Sequence, residues 1–411
     1  MKKEEGRKNG KKGRTAAAVN RGEMPGGQGR MANLELLRCV AMLMVVALHY
    51  LGKGNLLADL TGEMNLPRMT AWLLESFCIV AVNVYMFISG YFLCMSSFKP
   101  SRLLGLLGQV WFYSVVFGLT GAVFGVMRGT DFDIHYLLTL LFPVSMGHYW
   151  FMTAYVFFYL LLPLAGTAVK GMSREQMQVV LVAVLFTFCV LKSIFPVRFE
   201  MDGQGYDCLW YLCVFLAAAY VRRFGSVFLE RWGLALYLGC CVLIFAGTFA
   251  LRGIYLKTGS LGTMMKMCME YNHLLPFLAS AGLFGAFRRI KIRESAAKWI
   301  NRTASCTLGV YLLHENIGLR YAWQEWFGAG RAVGAMETGS AAGAVSVLFW
   351  TGIGTAGVFA CGILTEAARR YGACLLGRLC GRFGIFRRLR AGIAGLDRLF
   401  AGGNRAAVPG K

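Results

Sequence analysis

Acidic residues, prolines and histidines are all scarce in this chain: its 411 residues include 21 Asp and Glu, 8 Pro and 5 His. So few acids within apolar segments argue against an ion-coupled pump, which works through carboxylates inside the membrane. The shortage of Pro-rich or alternating, strand-like segments argues against a β-barrel, whereas helices satisfy their own backbone in lipid. The sequence contains no phosphate-binding loop, no zinc-type Cys/His spacing and no nucleophilic Ser or Cys set among glycines. It also lacks an internal repeat or paired broken helices, the marks of many transporters. What the chain has in abundance is apolar surface. Hydrophobic residues make up 57% and mean hydropathy is +0.53, far too apolar for a soluble protein of this length.

The apolar runs predict an all-α integral membrane protein of about ten transmembrane helices. The predicted spans are 32–51, 72–94, 103–127, 149–166, 177–195, 208–221, 232–251, 272–287, 304–319 and 344–365, with a candidate re-entrant piece at 135–147. The formal charge of +22 is concentrated at the ends. Residues 1–30 carry nine Lys/Arg against three Glu, and 367–411 carry ten against one Asp, so about +15 lies in two tails. Loops placed inside are basic, 288–302 most of all; those placed outside hold Asp131, Asp133, Glu200, Asp202 and Asp207. By the positive-inside rule both termini are cytoplasmic. The charge then reports orientation and attraction to anionic lipid, not a nucleic-acid partner.

Three regions are expected: a disordered basic cytoplasmic tail (1–30), a membrane domain (31–366) and a basic amphipathic cytoplasmic tail (367–411). In the last, Leu375, Leu379, Phe383, Phe386 and Leu389 recur at helical steps among arginines, although Gly372, Gly377, Gly381 and Gly384 weaken a helix there. The first span reads as an uncleaved anchor, since no small-residue cleavage site follows it. The thirteen Cys, among them Cys39, Cys78, Cys189, Cys240, Cys241 and Cys361, read as small packing residues without metal spacing.

One pairing stands out. The first span carries Arg38 and His49, eleven residues apart. At about 100° per residue that step returns to the same helix face, and at about 1.5 Å per residue it covers roughly 16 Å of depth. An arginine in a membrane helix costs about 3 kcal/mol on insertion scales, so such residues usually face a polar cavity. A fixed cation and a titratable base on one wall suit an elongated anionic ligand. Histidine is also the side chain whose ordinary pKa suits proton transfer. Glu35, one turn before Arg38, either favours the helix N-terminus or pairs with the arginine. Read alone, His49 is equally an interfacial histidine meeting headgroups.

Other polar groups interrupt apolar helices. Asn83, Ser89 and Tyr91 lie in 82–93, where small and hydroxyl residues commonly serve packing. His148, Tyr149 and Trp150 fall where an aromatic belt is common. His314, Glu315 and Asn316 interrupt 305–319, or simply end it at the surface. We take Asn83, Ser89, Tyr91, His148, Trp150 and His314 as candidate cavity-lining residues; His135 and His273 have weaker contexts. No metal site is expected. Asp59 and Glu63, in the first outer loop, are candidates for a carboxylate that orients His49.

Four segments, LRCVAMLMVVALHY, FISGYFL, HYWFMTAYVFFYLLLP and LGVYLLHENI, resemble in order the signature of the membrane acyltransferase 3 family. The family's hallmark, an arginine and a histidine separated by ten residues, corresponds to Arg38 and His49, and the likeness covers the core, 31–366. The resemblance implies a bacterial inner-membrane enzyme that O-acylates cell-envelope glycans or their lipid-linked precursors, of the stand-alone surface-polysaccharide type. It implies acyl-CoA, with acetyl-CoA expected, as co-substrate rather than a bound cofactor, the lipid bilayer and a glycan acceptor as the other partners, His49 as catalytic base, and Arg38 with Glu35 at the donor. The rival from another class is a multi-pass glycan or amphiphile transporter or flippase. A third reading is a sensor of the same fold that has lost catalysis.

Overall fold

The computed structural model describes residues 31–129, 131–195, 202–380 and 384–402; the expected tail 1–30 lies outside them. Described residues form helices and no strand. The helices are α1 (Ala32–Lys53), α2 (Leu66–Cys78), α3 (Ala81–Leu93), α4 (Pro100–Val123), α5 (Ile134–Leu141), α6 (Trp150–Gly171), α7 (Arg174–Leu185), α8 (Leu191–Ile194) and α9 (Cys208–Phe224). They continue as α10 (Val227–Thr258), α11 (Leu274–Arg288), α12 (Glu294–Ala304), α13 (Thr307–His314), α14 (Trp323–Trp326), α15 (Ala329–Met336), α16 (Ala341–Cys380) and α17 (Gly384–Gly402).

Local signals set several boundaries. Asn65 caps α2, just ahead of a proline in its first turn. Ser173 and Gln176 form a reciprocal capping box on α7, and Asp207 caps α9. Gly259, at φ +70°, closes α10 in the left-handed region.

Seven segments among the described residues are long and apolar enough to cross a membrane: α1, α2 with α3, α4, α6, α7 with α8, α10 and α16. The other three predicted spans fall on α9, α11 and α13, of 17, 15 and 8 residues. The segment 304–319 therefore does not continue as a helix past His314. Its non-helical continuation is held inside protein: Asn316 Nδ2 donates to the Tyr113 carbonyl (2.9 Å), and Ile317 N–H donates to His148 Nε2 (2.8 Å). Irregular backbone at membrane depth is tolerated only when protein satisfies it in this way. Hydropathy along the chain does not report that shelter. The candidate re-entrant piece 135–147 takes in all but the first residue of the eight-residue α5, buried through Tyr136, Thr139 and Leu140.

Burial separates the centre of the bundle from its rim. The apolar windows of α1 and of α2 with α3 are 61% and 67% buried, against 22% for α4, 17% for α7 with α8 and 28% for both α10 and α16. The rim helices leave Leu234, Leu238, Val242 and Phe349 exposed, as lipid contact requires. The helix carrying Arg38 and His49 is thus a central one. Its first turn is tied to the end of α11: Asn33 Nδ2 donates to the Phe287 and Arg288 carbonyls, both at 3.1 Å.

α10 and α11 cross at Gly233 and Gly282. A Cβ on Gly282 would lie 2.6 Å from the Gly233 carbonyl oxygen, so only glycine permits this approach. Gly282→Leu is expected to lower stability by about 3 kcal/mol through overpacking. Unfolding of wild type and variant in one detergent checks it; equal stability would mean that the helices part freely. At the far end of the chain, α17 docks on the start of α4. Ser101 donates to Asp397 through N–H (3.0 Å) and Oγ (2.5 Å), placing a carboxylate at a helix N-terminus.

Candidate active site

Arg38 and His49 line one cavity of about 150 Å³. Val82, Tyr85 and Ser89 of α3 form one wall and Trp150, Phe151 and Tyr155 of α6 another; Tyr271, Thr307, Leu308 and Tyr311 complete it. A neighbouring cavity of about 270 Å³ shares Leu106 and Tyr155 with the first and reaches Arg102 near the start of α4.

At one end, Arg38 Nε lies 3.4 Å from Glu35 Oε2 and donates no hydrogen bond. The Arg38 carbonyl accepts a hydrogen bond from the Tyr85 hydroxyl at 3.0 Å, which fixes α1 against α3. Glu35 is buried and is not among the cavity-lining residues, so it restrains the arginine from behind.

At the other end, His49 Nδ1 lies 2.9 Å from His314 Nε2, and His314 Nδ1 lies 2.6 Å from the Val310 carbonyl oxygen. A carbonyl oxygen only accepts, so His314 carries its hydrogen on Nδ1. With both rings neutral, His314 Nε2 is then the acceptor and His49 Nδ1 the donor. His49 is left with an unprotonated Nε2, the atom a base needs. Glu315 Oε1 stands 3.3 Å from His49 Nδ1 and also accepts a hydrogen bond from Lys53 Nζ. Arg320 donates to the Glu315 carbonyl (2.9 Å), and Trp323 Nε1 donates to that of His314 (3.1 Å), so the turn bearing these groups is held from both sides.

The structure therefore puts Glu315 where the sequence suggested Asp59 or Glu63. Asp59 is exposed and engaged locally, its carboxyl held below the usual range by hydrogen bonds from the Thr61 backbone N–H and side chain. Glu63 offers its carbonyl to Arg68. Glu315 was legible in the sequence only as a polar break beside His314; its pairing with Lys53 and His49 spans more than 260 residues.

The six candidate lining residues divide. Ser89 and Trp150 line the cavity with Arg38 and His49. His314 lies just behind it, hydrogen-bonded to His49. Three are not in its wall. Asn83 is fully buried, donating to the Tyr271 carbonyl (2.7 Å) and accepting from Trp210 Nε1 (2.9 Å). Tyr91 lies under Arg222, whose guanidinium is 4.7 Å from its ring centroid. Both nitrogens of His148 are occupied, by Ser114 Oγ (2.9 Å) and the Ile317 N–H (2.8 Å). Buried polar groups must find partners, and these three find theirs in packing rather than in the cavity. Tyr85, Tyr155 and Tyr311 carry no distinguishing signal in the sequence, because every predicted span contains aromatic residues.

His49, His314 and Glu315 could each offer a metal ligand atom within 4.8 Å of the others. However, the two imidazole nitrogens face each other in a hydrogen bond, and a lysine ammonium occupies the carboxylate. That arrangement fits a proton relay better than a common metal centre.

The family model of the acyltransferase domain, acyltransferase 3, matches residues 31–366. No curated protein and no solved structure matches the chain. The match takes in α1 through most of α16, including both ends of the cavity, and it covers most of the sequence: the chain belongs to the acyltransferase 3 family of membrane acyltransferases.

Proposed function

We propose that this protein transfers an acyl group, acetyl in the first instance, from acyl-CoA to a hydroxyl of a cell-envelope glycan or its lipid-linked precursor. The observation that carries the reading is the shared cavity with Arg38 at one end and His49 at the other. In this reading α9, α11 and the segment 304–319, with its sheltered non-helical end, complete ten crossings, and both termini with the basic loop 288–302 face the cytoplasm of a bacterial cell. The donor approaches from the Arg102 side, past Arg38, whose guanidinium neutralises phosphate or polarises the pantetheine end. The acceptor approaches from the His49 end.

The chemistry follows from the hydrogen-bond order. His49 Nε2 takes the proton as the acceptor hydroxyl attacks the thioester carbonyl. The tetrahedral intermediate collapses with loss of the coenzyme thiolate, which receives the proton. Glu315 stabilises the transient imidazolium, and His314 holds the ring in the tautomer that leaves Nε2 free. The buried Tyr311 hydroxyl, which lines the cavity, donates to the developing oxyanion in this reading.

Labelled acetyl-CoA, supplied with candidate glycans to the purified protein, should leave label on the glycan; a transporter transfers none. Arg38→Ala is expected to raise the half-saturating acyl-CoA concentration about tenfold to a hundredfold, the range for losing a charged hydrogen bond. Acceptor dependence should change little. An effect confined to the acceptor would remove Arg38 from the donor site.

A further inference from the structure

Tyr206 joins the cavity to the surface. It is 47% exposed, yet its ring centroid lies 4.4 Å from that of Trp150 and 4.8 Å from that of Tyr271. Trp150 and Tyr271 are themselves stacked, 5.8 Å apart at 19°, and both line the cavity that holds His49. An aromatic cluster, with Tyr206 tilted by 51° to both neighbours, therefore runs from the exposed surface to the wall of that cavity.

Residues 202–205, just before Tyr206, are held by a buried polar cluster. Lys192, only 1% exposed, donates to Asp202 (2.5 Å), Glu270 (2.6 Å) and Asn272 (2.9 Å). Asn272 Nδ2 and Gln204 N–H return to Asp202 Oδ1, at 2.7 and 2.8 Å. Gly205 follows at φ +87°, where a Cβ would lie 2.6 Å from that of Tyr271. Desolvating a lysine and two carboxylates is expensive, and such clusters contribute geometry more than stability. Here the geometry obtained is the placement of Tyr206 on Trp150 and Tyr271.

Beside this face stands Glu75 of α2. It interacts electrostatically with Tyr206, Tyr271 and Lys266, and its Oε2 is buried with no hydrogen-bond partner. An orphaned acceptor of this kind needs a donor that the protein does not supply.

We propose that Trp150, Tyr206 and Tyr271 form the acceptor subsite, on which one pyranose ring of the glycan stacks while Glu75 accepts hydrogen bonds from its hydroxyls. The C–H face of a pyranose carries partial positive charge and suits the negative face of an aromatic ring. Its rim of hydroxyls suits the carboxylate. An alkyl chain leaves Glu75 unsatisfied. This subsite rests on the acyl-transfer reading above, because the stacked sugar turns one hydroxyl towards His49.

The test uses the full-length protein in lipid nanodiscs, free of sugar detergents, with methyl glucoside, galactoside, mannoside and rhamnoside as probes. Saturation-transfer NMR should show ring C–H protons of at least one pyranoside in contact with the protein. With acetyl-CoA as donor, Tyr206→Ala should raise the KM for that sugar about tenfold, equivalent to about 1.4 kcal/mol. Tyr206→Phe should stay within about twofold, Glu75→Gln should raise KM about threefold, and the KM for acetyl-CoA should be unchanged in all three. No saturation transfer with any pyranoside, or equal sugar KM for wild type and Tyr206→Ala, overturns the subsite. Sugar binding that Tyr206→Ala weakens, with no transfer of label to any acceptor, retains the subsite and overturns the acyl-transfer reading instead.

Discussion

Replacing His49 with Ala is expected to lower the rate of acyl transfer by about 10³-fold, within the range that a positioned general base contributes. Membrane insertion and acyl-CoA binding should persist. His49 makes one ring hydrogen bond, to His314, and its side chain is 21% exposed, so its removal costs the fold one hydrogen bond, at the buried His314 Nε2. The measurement is single-turnover transfer of labelled acetyl groups at saturating donor and acceptor. Normal product yield from the variant would exclude His49 from the chemistry. His314→Ala should produce a smaller loss, because it frees the His49 ring to turn and to exchange tautomers without deleting the base.

Glu315 carries the second large effect. Its side chain is 5% exposed, and it is the carboxylate partner of both Lys53 and His49. Glu315→Ala removes one member of a buried ion pair and leaves the lysine without compensation, a change that commonly costs about 3–5 kcal/mol. Glu315→Gln keeps the volume and removes the charge; it should slow transfer about 10²-fold by withdrawing stabilisation from the imidazolium. Pairing Glu315→Gln with Lys53→Met separates the two roles in a double-mutant cycle. The pair should recover stability relative to Glu315→Gln alone without recovering rate. If the rate recovers in step with stability, Glu315 serves folding only.

Arg38 and His49 were legible because helical geometry is local. Eleven residues along one helix decide a shared face whatever the rest of the chain does, and an arginine in an apolar run is rare enough to draw notice. Asn83, Tyr91 and His148 show the limit of that logic. A polar residue in an apolar segment announces that it needs a partner, but not whether the partner is a substrate, a carbonyl or an arginine. In all three, neighbours far along the chain satisfy the group: Tyr271, Arg222 and Ile317. The short helix α13 is a similar case, since its shelter comes from Tyr113, Tyr149 and His148 rather than from its own composition.

Composition, apolar runs and one helical spacing were enough to make this chain a helical membrane protein with a cation and an imidazole on one wall. Those are properties of residue type and of a single repeating backbone geometry. Tertiary structure alone decided that Glu315 rather than Asp59 faces the imidazole, that His314 sets its tautomer, and that Tyr206 is pinned across Trp150. Each of these depends on bringing together side chains from separate helices and loops. Hydrogen bonds and ion pairs act only at contact range, so no pattern along the chain encodes them until the bundle closes.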